Sequence, residues 1–510
     1  MMSSTAGLAR SANRIWWVAV IGLCVVLLAP LLAVDVPPLL DYPNHLARVF
    51  VLASLPHDPV LARFYAPHWS IIPNLALDLI APPLLHVLPV HVVGRLLIAA
   101  SVLLPVLGTI AYNTALGGRW WALGVGLVAY NGSLLYGFLN FSISLGVALL
   151  LAAAWLRWRD KNPVWAIVLA MLGTPLLFAC HLMGLVFFGL LIGGAEIAGV
   201  YRERNVAAVV RRGLVVMLVF AVPAGLYAIS DLRQLGGDAV FLALGAKLAG
   251  LMTPFVNYDG RLDLFAAVVA VGLPLVGLVL RRGTMPAPAA CAMVLVLIAF
   301  LAAPFAWKQT YGLDTRFAVM LGFILFAGFV PARWPLRMRA VAGAGLLLVF
   351  AARMALLTTA WASQAVDLAD LRAVLAPVRP GQAVYVAEAG LREAPAYWAA
   401  NPHWRLLSNG VRTDEHLGAL ALIEHRAYWP FEFDAASQQP LETREPYRAL
   451  ADRVGHLPDR AEAAAADVCG FDYVLLTGAD AVPALPGVRF RLLSQSGFAA
   501  LYAISHCAVD

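Results

Sequence analysis

The chain has 510 residues, of which 61% are hydrophobic and only 13% are charged, and its mean hydropathy is +0.79. A soluble globular domain has about 45–50% apolar and about 25% charged residues, so this composition excludes an ordinary soluble protein. The net charge of +6 does not indicate a nucleic-acid partner, because the arginines lie in short loops between apolar segments, where they report membrane orientation.

Apolar segments of about 17–25 residues recur through residues 1–357, and each is long enough to cross about 30 Å of hydrocarbon as a helix. The first is too long for a signal-peptide core and has no clear small-residue cleavage site, so we expect it to be retained. The sequence therefore predicts a polytopic α-helical membrane bundle of about 11 transmembrane helices plus juxtamembrane helices. The predicted spans are residues 15–34, 91–114, 119–136, 139–157, 163–180, 182–200, 213–231, 263–280, 286–304, 316–332 and 338–357.

Basic clusters occupy alternate loops between these spans. With a cytoplasmic N-terminus, the strongest clusters, at residues 157–161, 202–212, 281–282 and 333–339, all become cytoplasmic. The opposite loops are longer but hold fewer cations, which is the positive-inside pattern. The sequence therefore predicts a multi-pass protein with a cytoplasmic N-terminus and residues 358–510 outside. The abundance of Ala, Arg and Gly and the compact loops suggest a bacterium of high genomic GC, so we expect the multi-pass chain in a bacterial inner membrane.

Residues 72–89 (IPNLALDLIAPPLLHVLP) are apolar enough to form a further span. A crossing here would invert every later loop and place the basic clusters outside. The charge of Asp78 and the Pro82–Pro83 pair fit a helix at the outer interface better than a full crossing. We therefore predict an interfacial helix within a first outer loop at residues 35–90, and a full crossing remains the alternative.

The tail at residues 358–510 is rich in Asp, Glu, Arg and Pro and contains no spanning segment. Residues 382–388, 471–477, 488–494 and 498–504 read as short strands, and residues 417–429 and 447–454 as helices. About 150 residues can hold a core of their own, so we predict an extracytoplasmic α/β domain. Cys469 and Cys507 are its only cysteines; in an oxidising compartment they could form a disulfide, and two unpaired thiols are the alternative.

The first outer loop holds the densest set of ionisable groups. Asp41 directly follows the first span, and Pro43 favours a helix start beside it, where the helix dipole keeps a carboxylate ionised. Asp41 therefore reads either as a general base or as a plain helix cap. His45 follows four residues later on the same helical face, and His68 is a candidate for contact with substrate. A metal site needs three or more convergent ligands, so we predict that no cofactor is required, while a divalent metal at Asp41 and His45 stays open.

The last outer loop, KQTYGLDTRF at residues 308–317, contains two cations near the mouth of a span. Arg316 offers a bidentate fork to a phosphate, and Lys308 adds a second charge. The alternatives are snorkelling to lipid headgroups and a local pair of Arg316 with Asp314.

Polar residues also lie at the outer ends of two predicted spans. Tyr136 and Asn140 belong to the hairpin NGSLLYGFLNFS at residues 131–142, and His181 lies at another outer helix end. They are candidates for binding sugar hydroxyls, as is Tyr311 in the last outer loop. A hairpin turn with capping polar groups is the alternative reading of the hairpin.

The order of these features resembles the GT-C glycosyltransferase superfamily, nearest in layout to the protein O-mannosyltransferase and aminoarabinose transferase branches. The shared order is one span, an acidic residue (Asp41) immediately outside, a juxtamembrane helix, and Pro73 leading an apolar helix. That helix runs into LPVHVVGRLLIAASVLLP, which carries Arg95 early in the next span. An outer-loop arginine (Arg316) and an extracytoplasmic α/β domain follow many spans later.

The resemblance implies transfer of a sugar from a polyprenyl-phosphate carrier to a glycan, lipid or protein acceptor on the outer face of the membrane. It assigns Asp41 the role of base or acceptor-orienting group, and Arg316 with Lys308 the role of holding the carrier phosphate. The competing class is a transporter or lipid flippase that uses the same polar groups without chemistry. Such folds often repeat their halves, and the sequence shows no matched halves.

Overall fold

A computed structural model describes residues 2–388, 406–435, 437–454, 468–478 and 487–507. Its contacts divide into two compact units. Unit 1 comprises Met1–Leu32, Ile71–Ala76 and Ile98–Thr358, and unit 2 comprises Ala33–Ser70, Leu77–Leu97 and Thr359–Asp510. Most of the first outer loop therefore belongs to the same unit as the C-terminal tail.

The helices and strands follow one another along both units. The α-helices are α1 Met2–Leu28, α2 Tyr42–Ser54, α3 Leu61–Phe64, α4 Ala76–Leu85, α5 Val90–Ala115, α6 Gly126–Ala129, α7 Gly132–Leu135, α8 Leu139–Trp158, α9 Pro163–Cys180, α10 Leu182–Glu203, α11 Val206–Ala228, α12 Leu244–Ala249, α13 Gly260–Val279, α14 Ala287–Ala302, α15 Leu313–Gly328, α16 Leu336–Leu375, α17 Leu420–His425 and α18 Tyr447–Val454. The strands are β1 Tyr65–Pro67, β2 Gly283–Thr284, β3 Ala306–Trp307, β4 Thr310–Tyr311, β5 Val330–Pro331, β6 Val384–Glu388, β7 Leu441–Thr443, β8 Tyr473–Thr477, β9 Val488–Ser496 and β10 Ala499–Cys507.

Within the described ranges, eight helices are long and apolar enough to cross a membrane, which is compatible with the predicted membrane helical bundle. The predicted number of about 11 is not confirmed, because α14 and α15 have 16 residues each and residues 119–136 are not one helix. The eight are Asn13–Leu32, Val90–Ala115, Leu139–Trp158, Pro163–Cys180, Leu182–Glu203, Val206–Ala228, Gly260–Val279 and Leu336–Leu375.

Residues 119–136 are broken into a 3-10 helix at Trp120–Val125 and the two single-turn helices α6 and α7. The break lies at Asn131, whose side-chain oxygen accepts a hydrogen bond from the Leu134 N–H at 3.1 Å and so starts α7 as an N-cap. The Gly132 N–H donates to the carbonyl of Thr253 at 2.9 Å instead of continuing a helix. Apolar composition alone gives no sign of this interruption.

Residues 72–89 are the segment for which the sequence left a full crossing open. They contain only α4, a ten-residue helix with Pro82 and Pro83 inside it. Ten residues rise about 15 Å, roughly half the thickness of the hydrocarbon layer. Helix α4 is therefore too short for a full crossing by itself, and the interfacial position of this segment stays a prediction.

Close helix packing in unit 1 depends on small residues. A Cβ atom on Gly194 of α10 would lie 2.5 Å from the backbone nitrogen of Ala292 in α14. Since no side chain fits there, the two helices approach closely because that residue is glycine. Similarly, a Cβ on Gly146 of α8 would lie 2.3 Å from the backbone of Leu104 in α5.

Unit 2 is built around a four-stranded sheet with the order β6-β8-β10-β9. Strands β6 and β8 are parallel, and the other neighbours are antiparallel. All four strands match segments predicted as strands, and α18 matches the predicted helix at residues 447–454. The predicted helix at residues 417–429 is shorter, a 3-10 turn at Leu417–Ala419 followed by α17.

Two features hold the tail of unit 2 together. Cys469 and Cys507 form a disulfide with a Cα–Cα distance of 5.8 Å, which settles the open choice in favour of pairing. Strand β1 from the first outer loop pairs antiparallel with β7 from the tail, with Tyr65 opposite Thr443. The loop therefore supplies a strand to the α/β unit.

Candidate active site

The side chain of Asp41 contacts His416 in unit 2. Asp41 precedes the first residue of α2, but its carboxylate makes no capping hydrogen bond to the helix. Its Oδ1 atom lies 3.4 Å from Nδ1 of His416 instead. The simple capping role therefore does not explain Asp41, and its position beside an imidazole suits proton transfer.

His416 sits in an apolar pocket of unit 2. Its ring packs edge-on against Phe433 and Trp429, with centroids 5.3 and 6.1 Å away. Burial lowers the pKa of His416 to about 4, and a hydrogen bond to the Leu40 backbone only partly opposes this. The imidazole is therefore neutral near pH 7. Its Nδ1 is buried and makes no hydrogen bond to any described residue.

His45 is a packed neighbour of this pair rather than its second acid–base partner. The side chain is only 8% exposed, and its Nδ1 lies 3.1 Å from Nη1 of Arg48. Burial, followed by the charges of Arg48 and His416, holds the pKa of His45 well below its usual range. The ring contacts Phe433 edge-on at 5.4 Å, so Phe433 contacts both histidines.

A fully buried ion pair lies beneath His45. Arg48 donates two hydrogen bonds to the carboxylate of Asp78, at 2.7 and 3.1 Å, and neither side chain has exposed surface. This bidentate geometry joins α2 to α4 within unit 2. It also accounts for Asp78, the acidic residue whose place in an apolar segment was unusual.

The chain segment at residues 431–433 is tied to α2 by Asn44. The amide of Asn44 donates to the Phe431 carbonyl at 2.7 Å and accepts from the Phe433 N–H at 2.9 Å. Between these residues, Glu432 is 6% exposed, and burial raises its pKa well above the usual range, against the lowering effect of Arg48. Sequence reasoning missed Asn44, His416 and Glu432, because no local spacing marks residues that meet only through folding.

The structure offers little to a metal ion. Among the residues that the structure describes, no group of three or more His, Cys, Asp or Glu side chains could hold one. His68, the other histidine predicted to contact substrate, lies 3.6 Å from Glu442 with 41% of its side chain exposed. It belongs to unit 2 but makes no described contact with the Asp41–His416 pair.

Arg316 lies in an aromatic setting in unit 1. It stands in the first turn of α15 and is 6% exposed. Its guanidinium carbon is 4.5 Å from the ring centroid of Phe138 and 5.9 Å from that of Phe141. Aromatic faces stabilise a cation, so Phe138 and Phe141 hold the guanidinium in place. Its neighbour Asp314 lies 3.8 Å from Nζ of Lys247.

Three predicted residues gather around the same two aromatic rings. The Tyr136 ring contacts Phe138 at 5.8 Å, and the His181 ring contacts Phe141 at 5.7 Å, beside Arg316. His181 also accepts a hydrogen bond from the Met183 N–H at 3.1 Å, as the N-cap of α10. Phe138 and Phe141 of the hairpin at residues 131–142 are therefore contacted by Arg316, Tyr136 and His181 within unit 1.

The remaining predicted residues of unit 1 take other roles. Asn140 donates to the backbone and side-chain oxygens of Asn74, at 2.7 and 2.9 Å, and so fixes a residue with a φ of 83°. Lys308 donates to the carbonyls of Leu232 and Arg233 at 3.2 Å each. Tyr311, in the β3–β4 hairpin, is 67% exposed. Substrate binding by these three residues stays a prediction.

The candidate residues thus form two sets. One surrounds the Asp41–His416 pair in unit 2, and the other surrounds Arg316 in unit 1. Comparison of the chain with protein-family models, with curated proteins and with solved structures finds no match.

Proposed function

We propose that the chain is a GT-C-type membrane glycosyltransferase. It would transfer a sugar from a polyprenyl-phosphate-linked donor to a glycan, lipid or protein acceptor on the outer face of a bacterial inner membrane. The observation that carries the proposal is the contact of Asp41 with His416, a neutral imidazole whose Nδ1 atom lies 3.4 Å from the carboxylate. The reaction class itself comes from the resemblance in layout, and the membrane helices support it.

In the proposed reaction, an acceptor hydroxyl attacks the anomeric carbon of the donor sugar. The bond from that carbon to the carrier phosphate breaks, and the hydroxyl proton passes to Asp41. In this proposal His416, whose Nδ1 lies 3.4 Å from the carboxylate, shares this proton with Asp41. Sharing stabilises the protonated base as the new bond forms, and general bases of this kind contribute about 10²–10⁴-fold to rate.

Arg316 is our candidate for holding the carrier phosphate. The leaving phosphate gains negative charge as the sugar departs, and a fixed cation stabilises it more than the ground state. Phe138 and Phe141 hold the guanidinium in place, which reduces the ordering needed at the moment of reaction. Lys308 is assigned a supporting role, because its ammonium group already donates to two loop carbonyls. No cofactor takes part in the proposed reaction.

The test uses purified full-length protein in lipid nanodiscs with a panel of radiolabelled polyprenyl-phosphate hexoses and pentoses and extracted envelope acceptors. Asp41→Asn should lower transfer at least 100-fold without changing the thermal unfolding profile. Asp35→Asn is the matched control, since Asp35 is an acid of the same loop with 54% of its side chain exposed, and it should retain activity. Full sugar transfer by the Asp41→Asn variant would exclude Asp41 as the general base.

The transporter reading draws on a different observation in unit 1. Arg353 of α16 and Asp263 of α13 form an ion pair at 2.5 Å, with side chains 4% and 3% exposed. Ionisable groups inside membrane segments often mark transport pathways. If the intact protein transfers no sugar but moves labelled lipid or solute across proteoliposomes, and Asp263→Asn stops that movement, the transporter is the correct class.

A further inference from the structure

A groove of about 690 Å³ lies between α10 and α11 at their arginine-rich ends, within unit 1. Both helices are long and apolar enough to span a membrane, so this groove would meet lipid chains rather than bulk water. Its walls are largely aliphatic, and several side chains stand exposed. The apolar lining residues are Ile197, Val200, Val206, Val209 and Val216.

A buried ion network forms the inner end of the groove. Glu196 accepts hydrogen bonds from Trp155, Arg159 and Arg212 at 2.7–3.1 Å. Arg212 also donates to Glu203 at 2.6 Å. The network joins α8, α10 and α11, and both carboxylates are fully engaged by it.

Gly199 makes room for this arrangement. A Cβ atom at that position would lie 2.3 Å from the guanidinium carbon of Arg212, so a side chain there would displace the arginine. The network therefore holds α10 and α11 in a fixed arrangement, and the groove between their apolar faces is a built feature of the fold.

Arg204 lies at the mouth of the groove and takes no part in the ion network described above. It ends α10 in a left-handed conformation, with a φ of 53°, and it lines the groove. Among the residues that the structure describes, no carboxylate pairs with Arg204, whereas Arg202, Arg211 and Arg212 all have acidic partners. A cation that no carboxylate of the described residues neutralises is thus placed at the end of an apolar groove.

We propose that this groove binds one anionic phospholipid, with an acyl chain along Ile197, Val209 and Val216 and the phosphate at Arg204. The cation of Arg204 lies at the end of the apolar groove, just as the phosphate of a phospholipid lies at the end of its acyl chains. Basic pockets between transmembrane helices bind anionic headgroups in this way. The site is independent of the proposed sugar transfer, since it involves none of the residues assigned to that reaction.

The test is native mass spectrometry of the full chain after equilibration with vesicles of phosphatidylglycerol and phosphatidylcholine in equal amounts. The wild type should retain one lipid with about a fivefold preference for phosphatidylglycerol, the effect of roughly one cation at a lipid headgroup. Arg204→Asn suits the left-handed backbone and should remove the preference while keeping a lipid bound.

A second variant tests the apolar part of the site. Gly213 lines the groove, and a Cβ there would meet no atom within 4 Å, so Gly213→Leu should fill the groove and abolish retention of either lipid without disturbing the fold. Gly225→Leu, on the same helix with equally open space, is the matched control. Arg281→Asn, at another left-handed exposed arginine, is the control for charge.

Each outcome bears on the proposal. Equal retention of both lipids by the wild type, or an unchanged preference in Arg204→Asn, would overturn the headgroup assignment. Retention by Gly213→Leu equal to that of Gly225→Leu would overturn the groove as the binding site. Loss of the preference in Arg281→Asn would show a general charge effect and would also contradict it.

Discussion

Nδ1 of His416 lies 3.4 Å from Oδ1 of Asp41, although 375 positions separate the two residues. The acid comes from the loop after the first predicted span, and the imidazole comes from the tail after the last. Burial in an apolar pocket keeps the imidazole neutral near pH 7. This contact is the basis of the proposed proton transfer at Asp41, and it can be tested separately from the sugar chemistry.

The neutrality of His416 predicts acid sensitivity. Its pKa is about 4 in the folded chain and about 6.5 when unfolded, so between these values the unfolded state binds more protons. Stability should therefore fall as pH decreases from 6.5 towards 4, by up to about 3 kcal/mol from this residue. His416→Asn should reduce that slope in thermal unfolding measured across this pH range. A slope unchanged by the substitution would show that His416 titrates normally.

The buried pair of Arg48 and Asp78 predicts a large effect of breaking one partner. Asp78→Asn leaves the Arg48 guanidinium buried beside a neutral group, so we expect a loss of about 3–5 kcal/mol in unfolding free energy. The double variant Arg48→Met/Asp78→Leu should recover much of this loss, because it removes both buried charges. Glu442→Gln, which breaks an exposed contact, should change stability by less than about 1 kcal/mol. A double variant no more stable than Asp78→Asn would contradict this account.

Glu424 predicts a second pH-dependent contribution. Burial would raise its pKa, but hydrogen bonds from His91 and Arg372 outweigh burial and lower the pKa to about 2. The stabilisation is therefore complete above the ordinary pKa of about 4.3 and is lost as pH falls towards 2. Glu424→Gln should cost about 1–2 kcal/mol at pH 7 after allowance for solvent screening.

The control for Glu424 shares its arginine. Asp35 also pairs with Arg372, at 3.3 Å, but is 54% exposed, so Asp35→Asn should change stability by less than about 1 kcal/mol. Thermal unfolding at pH 7 and pH 3 separates the two variants. An equal effect of both substitutions would mean that Arg372 alone stabilises this cluster.

The disulfide predicts both stability and compartment. Cys507→Ser opens the covalent loop to Cys469 and should cost about 2–4 kcal/mol in unfolding free energy, whereas Cys291→Ser should have little effect. Alkylation of unreduced membranes followed by mass spectrometry should find Cys469 and Cys507 protected, as expected in an oxidising compartment. Alkylation of both thiols in membranes from growing cells would contradict the predicted outer location of the tail.

Most of the secondary structure could be predicted because its signals are local. Continuous apolar segments identified eight of the spans, and short β-branched or aromatic segments identified β6, β8, β9 and β10. Residues 119–136 were mispredicted because apolar composition is the same for one helix and for several single turns. Asn131 ends the regular pattern only through a side-chain hydrogen bond to the Leu134 N–H.

The candidate site was less predictable. Asp41, His45 and Arg316 were found because charge beside an apolar segment is conspicuous. His416, Asn44 and Glu432 carry no such signal, since their significance lies in contacts with residues more than 300 positions away. For Asn140 and Lys308, in contrast, the sequence predicted a binding role for side chains that the structure shows in hydrogen bonds within the protein. Their polar side chains fit binding roles, but they hydrogen-bond to nearby chain segments.

The pairing of β1 with β7 also implies a delay during synthesis, because the two strands are far apart in the chain. Tyr65 leaves the ribosome 378 residues before its partner Thr443. At about 5–20 residues per second, the first strand waits roughly 20–75 s with its hydrogen-bonding edge unmatched. During that interval every intervening span must be inserted. A protein stalled before residue 441 would therefore possess its membrane segments but would leave strand β1 without its partner β7.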